Sequence, residues 1–347
     1  MTKIRIRSPQ ENAEVSLLRP DWEKRVRDLA ECNDAGGAFQ GDAPEPFSPD
    51  PCLCCWEGGT PPYTLTFSSG EDGSIGVSAL VPYAFVWNLM TDRVYTLRIA
   101  DAAGETAETV FRTAAGPRLI RFPVRPGGPN NFRDLGSWSG PQENRICQGR
   151  VYRGSACREG SFPEENRRLL TDFLRIRTEL DLRYTEQIEA EKIVSSPLGP
   201  DVHWIHLPVN AYHAFEPEQC ALFRQVIQVF ADAENYPVFF HCSQGCDRTG
   251  EIAILLKALC GEDPETIFLD YELSSLYGFP RPRQIGYLTE WLGGIAAFSG
   301  ADLPLEEQVR RYLLAVGVSA AEIEAVRRNL RSAPGVRQLE RSEDSGE

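Results

Sequence analysis

Two segments of the chain pair a cysteine with an arginine six positions later, a spacing that could place a thiolate beside a permanent cation. They are Cys147–Arg153 and Cys242–Arg248. Only four of the 36 basic residues are lysines, so arginine is frequent in this chain. With ten cysteines, about one cysteine–arginine pair at this spacing is expected by chance. The flanking residues must therefore decide which segment carries chemistry.

The residues around Cys242 predict a loop between a buried strand and a buried helix. Pro237–His241 is an apolar, β-prone run, and Glu251–Leu259 is an almost wholly apolar helix. Gly245 supplies the positive φ angle that a tight loop needs. The N–H groups of the loop would then surround one point at the helix N-terminus, which is a binding site for a phosphate group. The same positive field lowers the pKa of a thiol from its ordinary value of about 8.5, so we expect Cys242 to be a thiolate at neutral pH.

The other residues of this segment have expected supporting roles. Arg248 supplies a planar fork for two phosphoryl oxygens, and Thr249 can donate its hydroxyl to the sulfur. The ring of His241 is expected to hydrogen-bond loop carbonyls and to orient Cys242. The expected phosphate-binding residues are Ser243, Gln244, Gly245, Cys246, Asp247 and Arg248. The competing interpretation is a buried, unreactive cysteine in a loop.

The segment around Cys147 has a different pattern. Arg145–Ser155 alternates like a pair of strands, and no helix begins at Arg153. We therefore assign no chemistry to this segment.

His241–Gly250 resembles the HC-x-x-G-x-x-R-[ST]-G signature of the protein tyrosine phosphatase superfamily. Asn131–Gly136, Gly149–Ser155 and Glu179–Arg183 look like the atypical bacterial tyrosine and dual-specificity phosphatases, and Asp270–Ser274 fits the same group. The resemblance covers roughly residues 119–332. It implies an α/β cysteine-phosphatase fold, with a central sheet flanked by helices. It also implies a cysteinyl-phosphate intermediate and a reaction that needs no metal and no other cofactor.

A reaction of this kind needs a general acid to protonate the leaving oxygen. Asp247 is the first candidate, because the atypical bacterial group carries an aspartate there; its alternative role is to organise the loop. Asp181 is the second candidate, with orientation of Arg183 or capping of a turn as its alternative. Asp134 is expected to hold its own Asn-Phe-Arg-Asp loop together.

The expected chemistry leaves three functions open. The leading one is dephosphorylation of phosphotyrosine, with phosphoserine and phosphothreonine as further substrates of a dual-specificity enzyme. The second is an inositol-phosphate or phosphoinositide phosphatase resembling the cysteine-based phytases. Lipid-active relatives typically carry lysine where Cys246 stands, and the net charge of −14 disfavours polyanionic substrates. The third is a catalytically idle phosphate-binding module, which the intact Cys242, Asp247 and Arg248 disfavour.

Three further residues are candidates for secondary roles. Cys246 could trap oxidised Cys242 as a disulfide, or it could simply be a small residue that fits the loop. Arg281 and Arg283 could line the substrate mouth, or they could be surface charges.

Residues 1–116 contain short β-prone runs separated by turn residues, which predict an accessory β-sandwich of fibronectin or immunoglobulin type. Trp56, Leu89 and Tyr95 are placed like core residues of fibronectin-type domains, and Asp21–Ala30 looks like an inserted helix. The expected strands are Val15–Leu18, Leu53–Trp56, Tyr63–Phe67, Ile75–Leu80, Ala84–Trp87, Val94–Ile99 and Thr109–Thr113.

Residues 117–335 alternate strand-like and helix-like runs, which predict the catalytic α/β domain, and residues 336–347 form a polar tail. The expected strands are Leu119–Pro123, Thr178–Leu182, Val202–Pro208 and Pro237–His241. The expected helices are Pro163–Phe173, Glu216–Asp232, Thr249–Cys260, Pro264–Ser275, Gln284–Phe298, Pro304–Val316 and Ala320–Leu330.

The composition limits partners and compartment. The acidic chain disfavours nucleic acid as a partner, and no apolar run approaches the ~20 residues of a membrane span. The N-terminal residues lack the apolar stretch of a signal peptide, so we expect a cytoplasmic protein, with secretion as the alternative. The irregularly spaced cysteines favour free thiols in a reducing compartment, and Cys52–Cys55 lacks the partners of a metal site. Expected partners are a phosphorylated protein or a small phosphomonoester, and an unknown ligand of the sandwich domain.

Overall fold

The computed structural model describes residues 3–34, 48–70, 74–124, 127–138, 144–157, 162–277, 285–298, 300 and 302–332. The predicted polar tail lies outside these residues.

The N-terminal part contains two antiparallel-rich sheets and one helix. Its elements are β1 (Arg5–Ser8), β2 (Glu14–Val15), α1 (Trp22–Asp34), β3 (Cys52–Glu57), β4 (Tyr63–Ser68), β5 (Ser74–Ala79), β6 (Tyr83–Val86), β7 (Val94–Ala100) and β8 (Thr106–Thr113). One sheet has the strand order β1-β3-β6 and the other has the order β2-β8-β7-β4-β5. Most predicted strands are confirmed to within two or three residues. Strand β1 was not predicted. Arginines alternate with other residues along this short strand, so only one of its faces carries an apolar side chain.

The two N-terminal sheets contribute side chains to one hydrophobic cluster. Strands such as β3 and β4 alternate buried and exposed residues, as expected for sheets with one face toward a core. Trp56, Leu89 and Tyr95 all lie in this cluster, and the Tyr95 hydroxyl accepts a hydrogen bond from the Met90 N–H at 3.0 Å. Cys52 and Cys54 point into the same core, so their thiols serve as packing groups.

The second part is an α/β unit. Its elements are β9 (Arg133–Asp134), β10 (Val151–Ser155), α2 (Glu164–Arg168), β11 (Thr178–Asp181), α3 (Thr185–Glu191), β12 (His203–His206), α4 (Pro217–Ala231), β13 (Val238–Cys242), α5 (Asp247–Leu259), α6 (Pro264–Leu273), α7 (Ile285–Ala297), α8 (Leu305–Ala315) and α9 (Ala320–Arg331). The strand order is β12-β11-β13-β10-β9. The strand pairs of β10 to β13 are parallel, and β9 is an antiparallel edge. The predicted mixed α/β class is confirmed.

Two details of the predicted α/β elements are wrong. Leu119–Pro123 is not a strand, because only Leu119 forms a single bridge, to Arg133 at the sheet edge. The short helix α3 was not predicted, since only Ile188 among its residues is buried and no apolar periodicity marks it.

Helix α5 is the centre of the α/β unit. All its side chains from residue 248 to residue 259 are buried, because β13 lies on one side and helices α6, α8 and α9 pack around the rest. A helix that is apolar on every face must be enclosed in this way.

The N-terminal part contacts the α/β unit through α1 and α6. Leu18 and Val26 pack with Leu269 and Leu273 in one apolar cluster. A buried amide contact adds to this junction, since the Thr91 N–H donates to the Gln148 side-chain oxygen at 3.0 Å. Helix α6 is therefore held from the N-terminal side. Across the described residues, no helix combines the length and hydropathy required to traverse a bilayer.

Candidate active site

Cys242 lies at the carboxyl edge of the central sheet. Strand β13 ends at this residue and α5 begins at Asp247, so the loop between them is short. The neighbouring parallel strands end at the same edge, where Ser155 is in register with Cys242 and Asp181 with His241. Ligands of parallel sheets bind beyond this edge, so the loop has the predicted position.

Gly245 is required by the loop geometry. Its φ angle is +71°, and a Cβ at this position would lie 2.3 Å from the carbonyl carbon and oxygen of Gly154. Any side chain would collide with the backbone of β10, so glycine permits both the turn and the close approach.

The environment of Cys242 favours the thiolate. Only 3% of the residue is exposed, and burial alone would raise the pKa of the thiol. The charge of Arg248 and hydrogen bonds from Thr249 and from the Gln244 N–H outweigh burial and lower the pKa of Cys242. Among the described residues, no other group forms a well-aligned hydrogen bond with the buried Thr249 hydroxyl, which leaves it available to the sulfur.

Arg248 is fixed before any substrate binds. Its guanidinium donates to the Leu182 carbonyl at 3.1 Å and to the Ser243 hydroxyl at 3.2 Å. The ring of Tyr184 covers one face of the guanidinium, with the carbon Cζ 4.3 Å from the ring centroid. A preset cation stabilises developing charge without reorganising during the reaction.

Gln187 joins three parts of the site and was not predicted, because no motif or apolar periodicity marks it. Its Nε2 donates to the Ser243 hydroxyl at 3.0 Å. Its Oε1 accepts from the Tyr184 N–H at 3.1 Å and, more weakly, from Arg248 at 3.4 Å. As a neutral amide, it orients these groups without cancelling the arginine charge.

Arg153 supports the loop between β13 and α5. It donates to the Gly245 carbonyl at 3.0 Å and forms an ion pair with Asp270 at 2.6 Å. Asp270 also pairs with Arg133 at 2.8 Å, and Asn131 Nδ2 donates to the Gly245 carbonyl at 2.9 Å. Burial opposes the charge on Asp270, but the two arginines hold the pKa of this carboxyl well below its usual range. The prediction that the Cys147–Arg153 segment carries no chemistry stays a prediction, but its Arg153 supports the loop that follows Cys242.

Asp247 and Asp181 differ in their surroundings. Asp247 is half-buried in the first turn of α5 and accepts a hydrogen bond from the Tyr212 hydroxyl at 2.8 Å. Asp181 is fully buried and receives two side-chain nitrogens of Arg183, the closer at 2.7 Å. Burial disfavours its charge, but His241 and Arg183 lower the pKa of Asp181. These contacts favour its alternative roles, orientation of Arg183 or capping of a turn, which stay predictions.

Asp134 and His241 have structural contacts. Asp134 accepts from the N–H groups of Gly136 and Gly149 at 2.8 and 2.7 Å and pairs with Arg118 at 3.0 Å. Its role as an organiser of its own loop stays the interpretation that these contacts favour. The His241 Nε2 contacts Glu179 at 2.8 Å, and Nδ1 lies 3.4 Å from the Cys242 carbonyl. Burial disfavours the imidazolium, yet the carboxylates of Asp181 and Glu179 raise the pKa of His241.

The remaining expected residues have the following positions. The Cys246 sulfur lies 3.6 Å from Asn131 Nδ2 and 3.5 Å from the Gln244 carbonyl, and its redox role stays a prediction. Arg281 and Arg283 lie outside the described residues. Within the described part of the chain, no group of three or more histidine, cysteine or acidic side chains is placed to hold a metal ion.

Residues 126–290 match a family model described as the tyrosine phosphatase family. A curated tyrosine-protein phosphatase from Nostoc commune is 33% identical over 104 residues, which is 30% of this chain and 33% of the relative. The match thus spans about a third of the length of that relative. This part of the chain is therefore similar to the tyrosine phosphatase family.

Two solved structures show a more distant similarity. The core catalytic domain of the PP-IP phosphatase SIW14 from S. cerevisiae has 19% identity and a TM-score of 0.31, covering 49% of this chain and 93% of that one. The P. aeruginosa protein TpbA in complex with pTyr has 17% identity and a TM-score of 0.31, covering 53% of this chain and 96% of that one.

Proposed function

We propose that the chain hydrolyses phosphomonoesters through a cysteinyl-phosphate intermediate, with phosphotyrosine as the preferred substrate. The observation that carries the proposal is the placement of Cys242. Its sulfur lies between the end of a buried strand and the N-terminus of a buried helix, and Arg248 and Thr249 lower the pKa of its thiol. A thiolate held inside a ring of N–H donors is both a nucleophile and part of an anion-binding site.

The first step transfers the phosphoryl group to sulfur. The Cys242 thiolate attacks phosphorus, the bond from phosphorus to the ester oxygen breaks, and Asp247 gives its proton to the departing oxygen. Loop N–H groups and the guanidinium of Arg248 receive the charge on the phosphoryl oxygens. In the second step water attacks phosphorus, the Asp247 carboxylate takes the proton of that water, and inorganic phosphate and the thiolate are released.

Asp247 is the proposed acid because of its position and surroundings. It lies in the loop at the start of α5 and is half-buried, so its carboxyl can reach a leaving group above Cys242. Asp181, in contrast, is enclosed and held by Arg183. A carboxylate stabilised by such a pair is a poor proton donor.

The side chains at the mouth favour a single phosphoryl group on an aromatic leaving group. Tyr184 is 38% exposed beside Arg248 and offers an aromatic surface. Cys246 contributes no charge to the loop, and the whole chain has a net charge of −14. Both features disfavour polyanionic substrates such as inositol phosphates.

A substrate panel tests the proposed function. The wild-type chain is expected to hydrolyse p-nitrophenyl phosphate and phosphotyrosyl peptides, and to act less well on phosphoseryl peptides and inositol hexakisphosphate. Asp247→Asn should lower kcat/KM about 10²-fold for substrates with poor leaving groups and far less for activated aryl phosphates. No turnover of any substrate would leave only an idle binding module, and a preference for inositol hexakisphosphate would replace the proposed substrate class.

We further infer that residues 1–116 form an accessory β-sandwich domain joined to a catalytic domain at 117–335. The common core of the two N-terminal sheets supports this division. The contact of α1 with α6 suggests one contribution to the site, because α6 carries Asp270, the partner of Arg153. Thermal unfolding of residues 117–335 alone tests it, with a lower Tm and weaker phosphate binding expected than in the full chain.

A further inference from the structure

Tyr212 has an unusual backbone conformation beside the phosphate loop. It lies between β12 and α4, and its φ angle is +63°. A bulky residue is rarely found in this region, because its side chain crowds the backbone there. The surrounding contacts must therefore fix the residue.

Helix α5 holds Tyr212 at two points. The Tyr212 N–H donates to Glu251 Oε1 at 2.8 Å, and its hydroxyl donates to Asp247 Oδ1 at 2.8 Å. Asp247 and Glu251 are four residues apart and therefore share one face of the helix. The strained backbone and the phenol are thus aligned by the same helix that begins at the proposed acid.

Glu251 is a buried hydrogen-bond acceptor. The residue is fully buried, and among the described residues no group bonds its second oxygen, Oε2. Burial and the nearby charges of Asp247 and Cys242 raise the pKa of Glu251 well above its usual value. These surroundings favour the protonated carboxyl, and its Oε1 anchors the Tyr212 N–H.

A second phenol extends the contact with Asp247. The Tyr271 and Tyr212 hydroxyls lie 2.7 Å apart. Since the Tyr212 hydroxyl donates its proton to Asp247, its oxygen accepts from Tyr271, and the two phenols form a chain that ends at the carboxyl. Donors aligned in series strengthen the last bond of such a chain.

We propose that Tyr212 is a positioning residue for the general acid. It binds Oδ1 of Asp247 and so directs Oδ2 to carry the proton toward the leaving oxygen. After transfer the same hydrogen bond stabilises the carboxylate that remains, and no proton leaves the phenol. This inference rests on the proposed function, because it assigns Tyr212 a task only if Asp247 acts as the acid.

The test compares leaving groups. Tyr212→Phe removes only the hydroxyl, and we expect kcat/KM to fall roughly tenfold for phenyl phosphate and less than about twofold for p-nitrophenyl phosphate. The inhibition constant of inorganic phosphate should stay unchanged, because the loop and Arg248 are intact. Equal losses on the two substrates, or no loss on either, would overturn the proposal.

The matched control is Tyr236→Phe, which also removes a tyrosine hydroxyl that forms a buried hydrogen bond, at 2.7 Å to the Phe230 carbonyl. This residue lies away from the loop, so the variant should lose some stability and keep the wild-type ratio of the two substrates. A changed ratio in the control would show that the ratio reports stability, and would remove the support for Tyr212.

A double variant tests whether Tyr212 acts through Asp247. In the Asp247→Asn background, Tyr212→Phe should change kcat/KM for phenyl phosphate by less than about twofold, since the acid is already absent. A further tenfold loss there would contradict the proposal. Turnover of p-nitrophenyl phosphate by the wild-type chain distinguishes failure of the proposed function from failure of the Tyr212 proposal. If the wild type shows no turnover, the proposed function fails. If the wild type turns over but Tyr212→Phe does not change the ratio of the two substrates, only the role of Tyr212 is removed.

Discussion

The two segments with Cys-x5-Arg spacing fold into different structures. In Cys147–Arg153 the strand follows the cysteine, and the Cys147 thiol donates to the Arg331 carbonyl at 2.9 Å. In Cys242–Arg248 the strand ends at the cysteine and the helix begins just before the arginine. Only the order strand, cysteine, loop, helix, found in Cys242–Arg248, places a sulfur at the carboxyl edge of the sheet and an arginine at a helix N-terminus.

The comparison also shows that the two segments depend on each other. Arg153 donates to the Gly245 carbonyl, and the backbone of Gly154 lies directly against Gly245. The first segment is therefore the support on which the second one folds. The Cys-x5-Arg spacing predicts neither the position of Cys242 at the sheet edge nor the supporting role of Arg153. Both depend on the order of the strands in the sheet.

The largest expected difference between the segments is in catalysis. Cys242→Ser should lower kcat for p-nitrophenyl phosphate by about 10⁴-fold or more, because the hydroxyl is not ionised at neutral pH. Cys147→Ser should keep kcat within about twofold, since its thiol bonds the Arg331 carbonyl at the end of α9 and precedes β10 instead of ending a strand at the site. Steady-state assays of the two purified variants check this, and comparable losses would break the comparison.

The next largest expected effect concerns Arg153, which supports the loop between β13 and α5. Arg153→Met leaves the buried Asp270 with one ion-pair partner and removes a donor from the Gly245 carbonyl. The free energy of unfolding should fall by about 3–5 kcal/mol, measured by urea denaturation. The control is Arg177→Met, whose arginine is half exposed with a single ion pair at 3.8 Å, and about 0.5 kcal/mol or less is expected there. Similar values for both variants would mean that Arg153 does not support the loop.

A smaller effect is expected where the segments touch. Gly245→Ala should cost about 1–3 kcal/mol more than Gly104→Ala, by thermal or urea unfolding. Both glycines have a positive φ angle, +71° and +82°, but a Cβ at Gly104 would meet nothing within 4 Å. The control therefore carries the backbone strain without the collision with Gly154. Equal costs would show that the close approach is not tight in solution.

The smallest expected effect concerns Glu251 in helix α5, which begins in the second segment. The raised pKa of Glu251 means that the folded chain keeps its proton while the unfolded chain loses it as pH rises past about 4.5. This contribution to stability is present in full below that pH and declines above it. Glu251→Gln removes the decline, so the stability of the variant relative to wild type should improve from pH 4.5 to pH 8. A relative stability that does not change with pH would show that Glu251 is charged in the folded state.

Much of the phosphate loop could be predicted from local sequence. An apolar strand, a short polar loop with Gly245 and an apolar helix follow one another without interruption, so neighbouring residues carry the whole signal. The same holds for most N-terminal strands, whose alternation is local.

The supporting residues could not be predicted in the same way. Asp270 follows Arg153 by more than a hundred residues, and only the sheet and α6 bring them together. Arg153 also appeared as a charged residue in an alternating strand, which normally means a solvent-facing position. Gln187 and Tyr212 lie in a short helix and a loop without apolar periodicity. Their roles follow from three-dimensional packing alone.

The ionisation of Cys242 is tested most directly by the pH dependence of its alkylation. The rate of iodoacetate labelling at Cys242, followed by peptide mapping, should titrate with a midpoint below the ordinary thiol pKa of about 8.5, and inorganic phosphate should protect the residue. Cys147, whose thiol donates a hydrogen bond, should label slowly at neutral pH in the same samples. A midpoint for Cys242 at or above about 8.5 would contradict the account.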